Sequence, residues 1–575
     1  MLNTAATLVT ARGPSATHLV TNQVPPLESH NLALDPALQE ALIREGGEWG
    51  LDEVTKFGAL CGSRKALRWG ELADRNRPIL HTHDRYGHRI DEVEYDPAYH
   101  QLMKLAISNG LHAAPWSDDR PGAHVVRAAK TSVWAADPGI LCPIWMTYAV
   151  IPALRHNTEL AAVYEPLLTK CAYDPRPDAV SAKTAITAGM SMTEKQGGSD
   201  LRAGSTQGNR GSDNSFSLIG HKWFTSAPMS DIFLVLAQAP GGLSCFLLPR
   251  VLPDGGRNRM YLQRLKDKLG NHANASSEVE YDGATAWLVG EEGRGVSTIM
   301  EMVGMGRLDV ALGSAALMRV ALTHAIHHSQ HRKAFGANLI EQPLMRNVLA
   351  DLALEAEAAT TATMWLAGAS DRAIRGSERD SLLKRIGVPA IKYWVCKRAT
   401  QHVGEAMECL GGNGYVEESG MPRLYREAPL AGIWEGSGNV TALDTVRALA
   451  VPGCLEVLFE ELAAASGADP RLDAHIQMLR RQVLDRDLVA YRSRVLNENI
   501  CLALQGSLLV RHGNSSVAEA FVATRLGRDW GGAFGTLPAQ LDLTTILQRA
   551  MAITADGPTQ SPAVESASPW PDREP

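Results

Sequence analysis

The chain is poor in most features that assign a function at sight. Its eight cysteines (61, 142, 171, 245, 396, 409, 454 and 501) are scattered, and no two form a CxxC pair. That argues against a disulfide framework and a Cys-built zinc site, and suits reduced thiols in a cytoplasmic protein. No basic stretch followed by an apolar core opens the sequence, so no secretory leader is expected. The longest uncharged apolar run, Ile140 to Leu154, is broken by Pro143 and Pro152 and is too short to span a bilayer. No excess of positive charge exists either. The formal net charge is -7, so any nucleic-acid footprint has to be a local patch. There is no Walker loop, no GxSxG elbow and no HExxH pair. His324, His327, His328 and His331 include two i,i+4 pairs but lack an acidic partner, so no metal is expected.

What remains is ordinary globular composition, 45% hydrophobic and 21% charged, spread over 575 residues. A chain of that length exceeds one core and implies several domains. Residues 1–30 read as an irregular N-terminal arm. Residues 31–185 read as a helical domain, opened by the Asp35-Pro36 capping signal. Between residues 186 and 289 the period changes to short β-branched and aromatic runs, such as Ser215–Ile219 and Leu243–Leu248, which predicts an antiparallel β domain. Residues 290–450 return to helical spacing, with Ile391, Trp394, Val395, Val403, Met407 and Leu410 in one stripe ending at Gly411-Gly412. A further helical region spans 451–555, and the proline-rich tail 556–575 reads as disordered. The predicted class is α+β: helices, a β domain, a helical bundle and extra C-terminal helices.

The chemistry centres on Ile433-Trp434-Glu435-Gly436-Ser437-Gly438-Asn439. Bulky apolar neighbours raise the cost of charging Glu435 and tune it as a general base near neutral pH. The small residues after it admit a flat or anionic group close to the backbone. A buried structural glutamate beside a glycine turn would look the same. In the β region, Met192-Thr193-Glu194-Lys195-Gln196-Gly197-Gly198-Ser199-Asp200 offers hydroxyls and backbone N–H groups to a polar heterocycle and a pyrophosphate. Trp223-Phe224-Thr225-Ser226 could cover a flat ring or simply pack across strands. Arg332-Lys333-Ala334-Phe335-Gly336 places a cation and an aromatic at a helix end, where a phosphate and an adenine would fit as well as solvent.

Taken in order, these phrases resemble the acyl-CoA dehydrogenase flavoprotein family over about residues 35–450. Together with Arg264-Leu265-Lys266-Asp267-Lys268-Leu269-Gly270-Asn271, they are most similar to its AidB branch, associated with the bacterial adaptive response to DNA alkylation. The resemblance implies FAD as cofactor. Met192, Thr193, Gly198 and Ser199 would contact it, with Phe224, Thr225 and Ser226 at the isoalloxazine. Arg332, Phe335, Gln342, Gly411 and Gly412 would hold the ADP half across a subunit interface of a homotetramer. Ile433, Trp434, Gly436, Ser437 and Asn439 would line the flavin beside Glu435, the base that takes the α-proton of an acyl thioester. Two departures stand out. Phe224 replaces the usual Trp, and Gly304 stands where relatives often carry an Asp that helps hold coenzyme A. Gly306 excludes the alternative base position.

The branch also implies double-stranded DNA as a partner, besides an acyl-CoA or an alkylating small molecule. Residues 453–550 hold 10 arginines against 11 acids, so the region is not basic as a whole. Arg480, Arg481, Arg486, Arg492 and Arg494 nevertheless cluster on one stretch and are candidates for phosphate contact, or for a solvated helix face. The expected function is alkylation protection by a DNA-associated flavoprotein; the alternative is oxidation of a short or branched acyl-CoA at Cα–Cβ.

Overall fold

The computed structural model describes residues 17–211, 213–485 and 489–551. Arg486 and the tail beyond residue 551 fall outside that range, as does the arm before residue 17.

Helix α1 (Pro36–Arg44) starts at the predicted signal, with the Asp35 carboxylate accepting from the Ala37 N–H. Helices α2 (Leu51–Cys61) and α3 (Arg64–Arg75) follow. The helical reading of the first domain then needs a correction. Strands β1 (Ile79–His83) and β2 (Arg89–Glu94) form an antiparallel hairpin across Asp84–His88, where Gly87 takes φ +83°. Helices α4 (Pro97–Ser108), α5 (Ala123–Ser132), α6 (Leu141–Leu154) and α7 (Thr158–Leu168) complete the domain. The apolar run at 140–154 is α6, buried almost throughout.

The β domain contains β3 (Ala188–Ser191), β4 (Gln207–Arg210), β5 (Ser215–Ser226), β6 (Ile232–Ala239), β7 (Gly242–Pro249), β8 (Met260–Leu265) and β9 (Ser276–Val289). Its pairing is antiparallel except where β6 runs parallel to β3 and, at a single residue pair, to β4. The order β6-β4-β5-β9-β7 returns to β6, so the sheet closes on itself and hides its edges. Strands β6 and β7 are buried on both faces and read as continuous apolar runs.

Three long helices form the frame of the next domain: α8 (Gly295–His331), α9 (Pro343–Ile374) and α10 (Glu378–Glu408). By length and composition α8 could cross a membrane, but it is mostly buried among its neighbours. Between α8 and α9 a hairpin pairs β10 (Lys333–Ala334) with β11 (Ala337–Asn338). Helices α11 (Met421–Glu427) and α12 (Gly438–Leu449) flank the Glu435 loop.

The C-terminal region, α13 (Cys454–Ala463), α14 (Pro470–Leu484), α15 (Ser493–His512), α16 (Ser515–Phe521) and α17 (Leu543–Ala550), packs onto α9 and α10. Buried ion pairs fasten it. Arg525 reaches Asp351 at 2.5 Å and Glu355 at 3.2 Å, and Glu355 also takes Arg398 at 3.1 Å. The Arg525 guanidinium lies over the Trp530 ring, 4.3 Å from its centroid. The two arginines hold the buried Glu355 carboxyl down to about 2 against the effect of burial. Removing one partner of such a network strands a buried charge. Arg525→Met is therefore expected to destabilise the protein by roughly 3–5 kcal/mol in chemical denaturation. It should also expose α13–α17 to limited proteolysis before the rest of the chain.

Candidate functional site

Arg307 on α8 and Lys392 on α10 are both buried, and both point at the loop between α11 and α12. Arg307 Nε donates to the Glu435 carbonyl at 2.7 Å, and its Nη1 to Asp444 on α12 at 2.5 Å. Lys392 Nζ donates to the Gly436 carbonyl at 2.5 Å, and Arg385 adds a second bond to Asp444 at 2.9 Å. The loop is thus tied by its carbonyls to two long helices. Glu435 takes φ +53° and Gly436 φ +101°, a reversal that glycine makes freely and glutamate does not.

The reversal sends the Glu435 side chain towards Gly306, where a Cβ would lie 3.4 Å from its Cδ. Glu435 Oε2 is out of contact with solvent and has no hydrogen-bond partner. Burial raises its pKa to about 7, against the opposing pull of Arg307 and Lys392. A carboxylate poised near neutrality and unpaired is suited to take a proton from carbon.

The preceding residue, Trp434, stands in the wall of a cavity with about 610 Å³ of unfilled space, partly open to solvent, that runs along α8 past Val310, Gly313 and Leu317. Trp134, Trp145 and Trp434 line it, and the indole N–H groups of Trp145 and Trp434 are buried without partners. Among the few polar residues in the wall are Asn271 and Glu427, which are bonded to each other.

The Met192–Asp200 segment is held by the Glu194 carboxylate. It accepts from Lys222 Nζ at 2.8 Å and from the backbone and side chains of Ser205 and Thr206. Burial disfavours its charge, but these donors outweigh burial and hold its pKa far below the carboxylate range. Thr193 packs so closely on Gly198 that a Cβ there would meet Thr193 Oγ1 at 2.3 Å. Met192 is partly buried and Ser199 exposed. On β5, Phe224 is 50% exposed and Ser226 partly so, which leaves an aromatic and a hydroxyl for a ring. Thr225 is a correction. It is wholly buried, its hydroxyl bonds Ser191, and only its backbone remains for a ligand on the Phe224 side.

Arg332, Phe335 and Gln342 come together on the β10–β11 hairpin, where Gln342 Nε2 donates to the Ala334 carbonyl at 3.1 Å. Phe335 is fully exposed at φ +52°. Gly411 and Gly412 face open space, with no atom within 4 Å of a built Cβ. Arg332 Nη1 donates to the Asn22 carbonyl at 2.5 Å, a contact with the N-terminal arm that the sequence did not signal. Arg332 follows Arg307 by 25 positions along and just past α8. At 1.5 Å per residue that is about 37 Å. One chain therefore does not bring this group to Glu435.

Around the base, Ile433 is exposed and Ser437 opens α12 without capping it. Asn439 Oδ1 accepts from Arg494 Nε at 2.8 Å. That contact corrects the reading of the arginine cluster. Arg494 serves the Glu435 loop, Arg492 pairs with Asp485 at 2.6 Å, and Arg480 lies 4.1 Å over the Phe459 ring. Arg481 is exposed, with no carboxylate at ion-pair distance among the described residues. The histidines of α8 are bonded to backbone or buried. His327 reaches the Pro25 carbonyl at 2.8 Å, and among the described residues no His/Cys/Asp/Glu group is arranged for a metal. Lys392 and Asp444 were missed. A lone lysine beside the apolar stripe of α10 was the available signal.

The residues present fit a flavin. They provide a reversed loop with backbone free to approach, an exposed aromatic on β5 and an unpaired buried base. The comparisons agree. Residues 22–175 match the family described as adaptive response protein AidB N-terminal domain. Residues 189–284 and 293–450 match the acyl-CoA dehydrogenase middle and C-terminal domains. The chain belongs to the acyl-CoA dehydrogenase family, FAD-dependent oxidoreductases acting on CH–CH bonds. Within it, the chain is 44% identical to the putative acyl-CoA dehydrogenase AidB of Escherichia coli K12, over 89% of this chain and 94% of that one. It is 30% identical to acyl-CoA dehydrogenase family member 11 of Caenorhabditis elegans, over 77% and 75%. The solved structure of C. elegans ACDH-11 in complex with C11-CoA superposes with a TM-score of 0.81 at 26% identity, covering 93% of this chain and 97% of that one.

Glu435 has a raised pKa, so the folded state holds a proton that the unfolded state releases between about pH 4.5 and about 7. Stability contributed at this site falls as pH rises through that window. Glu435→Gln removes the cost of charging and is expected to stabilise the protein at pH 8, by up to ~3 kcal/mol, with little change at pH 5. Paired thermal melts at the two pH values check this.

Proposed function

We propose that this chain is an AidB-like flavoprotein in which Glu435 removes the α-proton of a small acyl thioester. The observation that carries the reading is the buried, unpartnered Glu435 Oε2, on the loop whose Trp434 lines a cavity with two further tryptophans. FAD, when bound, supplies the acceptor for the β-hydride. The protein's part is to hold Glu435 by its own carbonyl, to keep the carboxylate dry, and to seat the acyl group between α6 and α8. The C11-CoA bound in the C. elegans structure supports an acyl-CoA as the class of ligand. The length of helix between Arg307 and Arg332, about 37 Å at 1.5 Å per residue, supports an oligomer, a homotetramer in this reading. A partner's hairpin would complete each flavin site, and the fully exposed Phe335 suits that role. We place the protein in the cytoplasm.

Anaerobic titration of the flavin-loaded protein with a panel of acyl-CoAs tests the reading. Bleaching of the flavin is expected with short or branched acyl groups, at a rate that climbs with pH and levels off above about 7. Glu435→Gln should slow it by ~10²-fold or more. Failure of every acyl-CoA to bleach the wild type would sink the dehydrogenase reading.

A second reading is DNA-associated protection against alkylating agents. It is supported by the description of the N-terminal family and by the likeness to the E. coli protein. The structural observation in its favour is the exposure of Arg480 and Arg481 in the last turns of α14, Arg481 with no carboxylate at ion-pair distance among the described residues. Binding through phosphates should fall linearly in log affinity against log salt, by about 0.9 per contact. Replacing Arg480 and Arg481 with Ala should weaken all duplexes equally and flatten that slope, while Arg494→Ala should change flavin binding instead. Identical anisotropy isotherms for wild type and the double variant would remove these arginines from the interface.

A further inference from the structure

The Arg264–Asn271 phrase includes two lysines that face a separate groove. It lies between the Arg77-Pro78 bend joining α3 to β1 and the turn from β8 to β9, and is widely open to solvent. Arg77, Lys266, Lys268 and His272 line it, with Asp267 as the one acid in the wall. Three of these four basic residues are accounted for. Arg77 pairs with Asp267 at 2.6 Å, His272 faces Asp74 at 3.2 Å, and Lys266 pairs with Glu278 at 2.7 Å while lying 3.3 Å over the Trp223 ring.

Lys268 is different. Its ammonium donates to the Asn274 carbonyl and to Ser276 Oγ, and no carboxylate lies at ion-pair distance among the described residues. A largely buried, unpaired ammonium is costly unless an anion joins it. Burial brings its pKa down to about 8, as expected for a cation short of a partner. Asn274, also in the groove wall, carries a buried Oδ1 without a hydrogen-bond partner. The Arg77–Asp267 pair is exposed, and a pair of that kind yields readily to a better anion.

We propose that this groove binds a small oxyanion, a phosphate or carboxylate group, between Lys268 and Arg77. Its position ties it to the ring-facing wall. Lys268 bonds Ser276 at 3.2 Å, and Ser276 bonds Ser226 at 3.1 Å, so Lys268 itself sits two hydrogen bonds from a residue assigned to the flavin. The ligand class is a small molecule bearing a phosphate or carboxylate group.

Calorimetric titration of the FAD-loaded protein with inorganic phosphate, acetate and coenzyme A, at fixed ionic strength, tests the site. Saturable binding of phosphate or acetate is expected. Arg77→Gln and Lys268→Met should each weaken it roughly tenfold or more. Asp267→Asn, which frees Arg77, should tighten it. Coenzyme A binding more tightly than phosphate, with the same loss in Arg77→Gln, makes its phosphates the source; equal affinities make it a free oxyanion. Absence of saturable phosphate and acetate binding overturns the proposal, as does an affinity unchanged by Arg77→Gln. Arg77 is half exposed, so that variant stays informative even where Lys268→Met fails to fold.

Discussion

Two buried cations grip backbone carbonyls and leave the carboxylate between them alone. Arg307 and Lys392 bond the carbonyls of Glu435 and Gly436, not the Glu435 side chain. Had either formed an ion pair with the carboxylate, its pKa would drop and the base would be quenched at neutral pH. Spending the cations on the main chain does two things together. It holds a glutamate in a left-handed conformation that costs on the order of 1–3 kcal/mol, and it leaves burial as the dominant influence on the acid. Asp444 makes this possible by neutralising Arg307, so no bare guanidinium faces the cavity.

The length of α8 sets the second constraint. One helix carries Arg307 and Gly306 at the base, Gly313 and Leu317 at the cavity, and the Arg332 hairpin just past its end. Such a strut fixes the separation of the Glu435 loop and the Arg332 hairpin and cannot shorten it. The sparse surroundings of Phe335, Gly411 and Gly412 then make sense as a surface shaped for something outside the chain.

Much of the architecture was legible because local chemistry marks it. Asp35-Pro36 starts α1, β-branched runs mark β5 to β7, and Gly411-Gly412 follows the last turn of α10. The β1–β2 hairpin was lost inside a helical domain because its strands are short and its faces mostly polar, though Asp84–Gly87 carries a turn signal. Thr225 was misread because β5 carries an irregularity between Lys222 and Thr225, and spacing alone does not say which face a side chain takes. The arginine cluster shows a different limit. Five arginines within one stretch look alike in sequence, yet an aromatic ring, an aspartate and a loop 55 positions away claim three of them. Only tertiary packing assigns such partners. Lys392 and Asp444 were hidden for the same reason.

Those long-range contacts change how the C-terminal region should be viewed. Asn497 of α15 is buried between two elements, accepting from Thr445 Oγ1 at 2.6 Å and donating to the Ala442 carbonyl at 3.2 Å, both on α12. Arg494, one turn earlier, bonds Asn439 at the start of the same helix. The buried ties of Asn497 fix one orientation, because any shift leaves unpaired groups in a dry environment. Helix α12 also carries Asp444, the anchor of Arg307. The position of the base therefore depends, through α12, on a region beyond residue 450. A module that only carried a DNA contact would have no use for buried hydrogen bonds to the catalytic loop's own helix. The region is part of the framework that positions α12 and the Glu435 loop, whatever its outer surface binds.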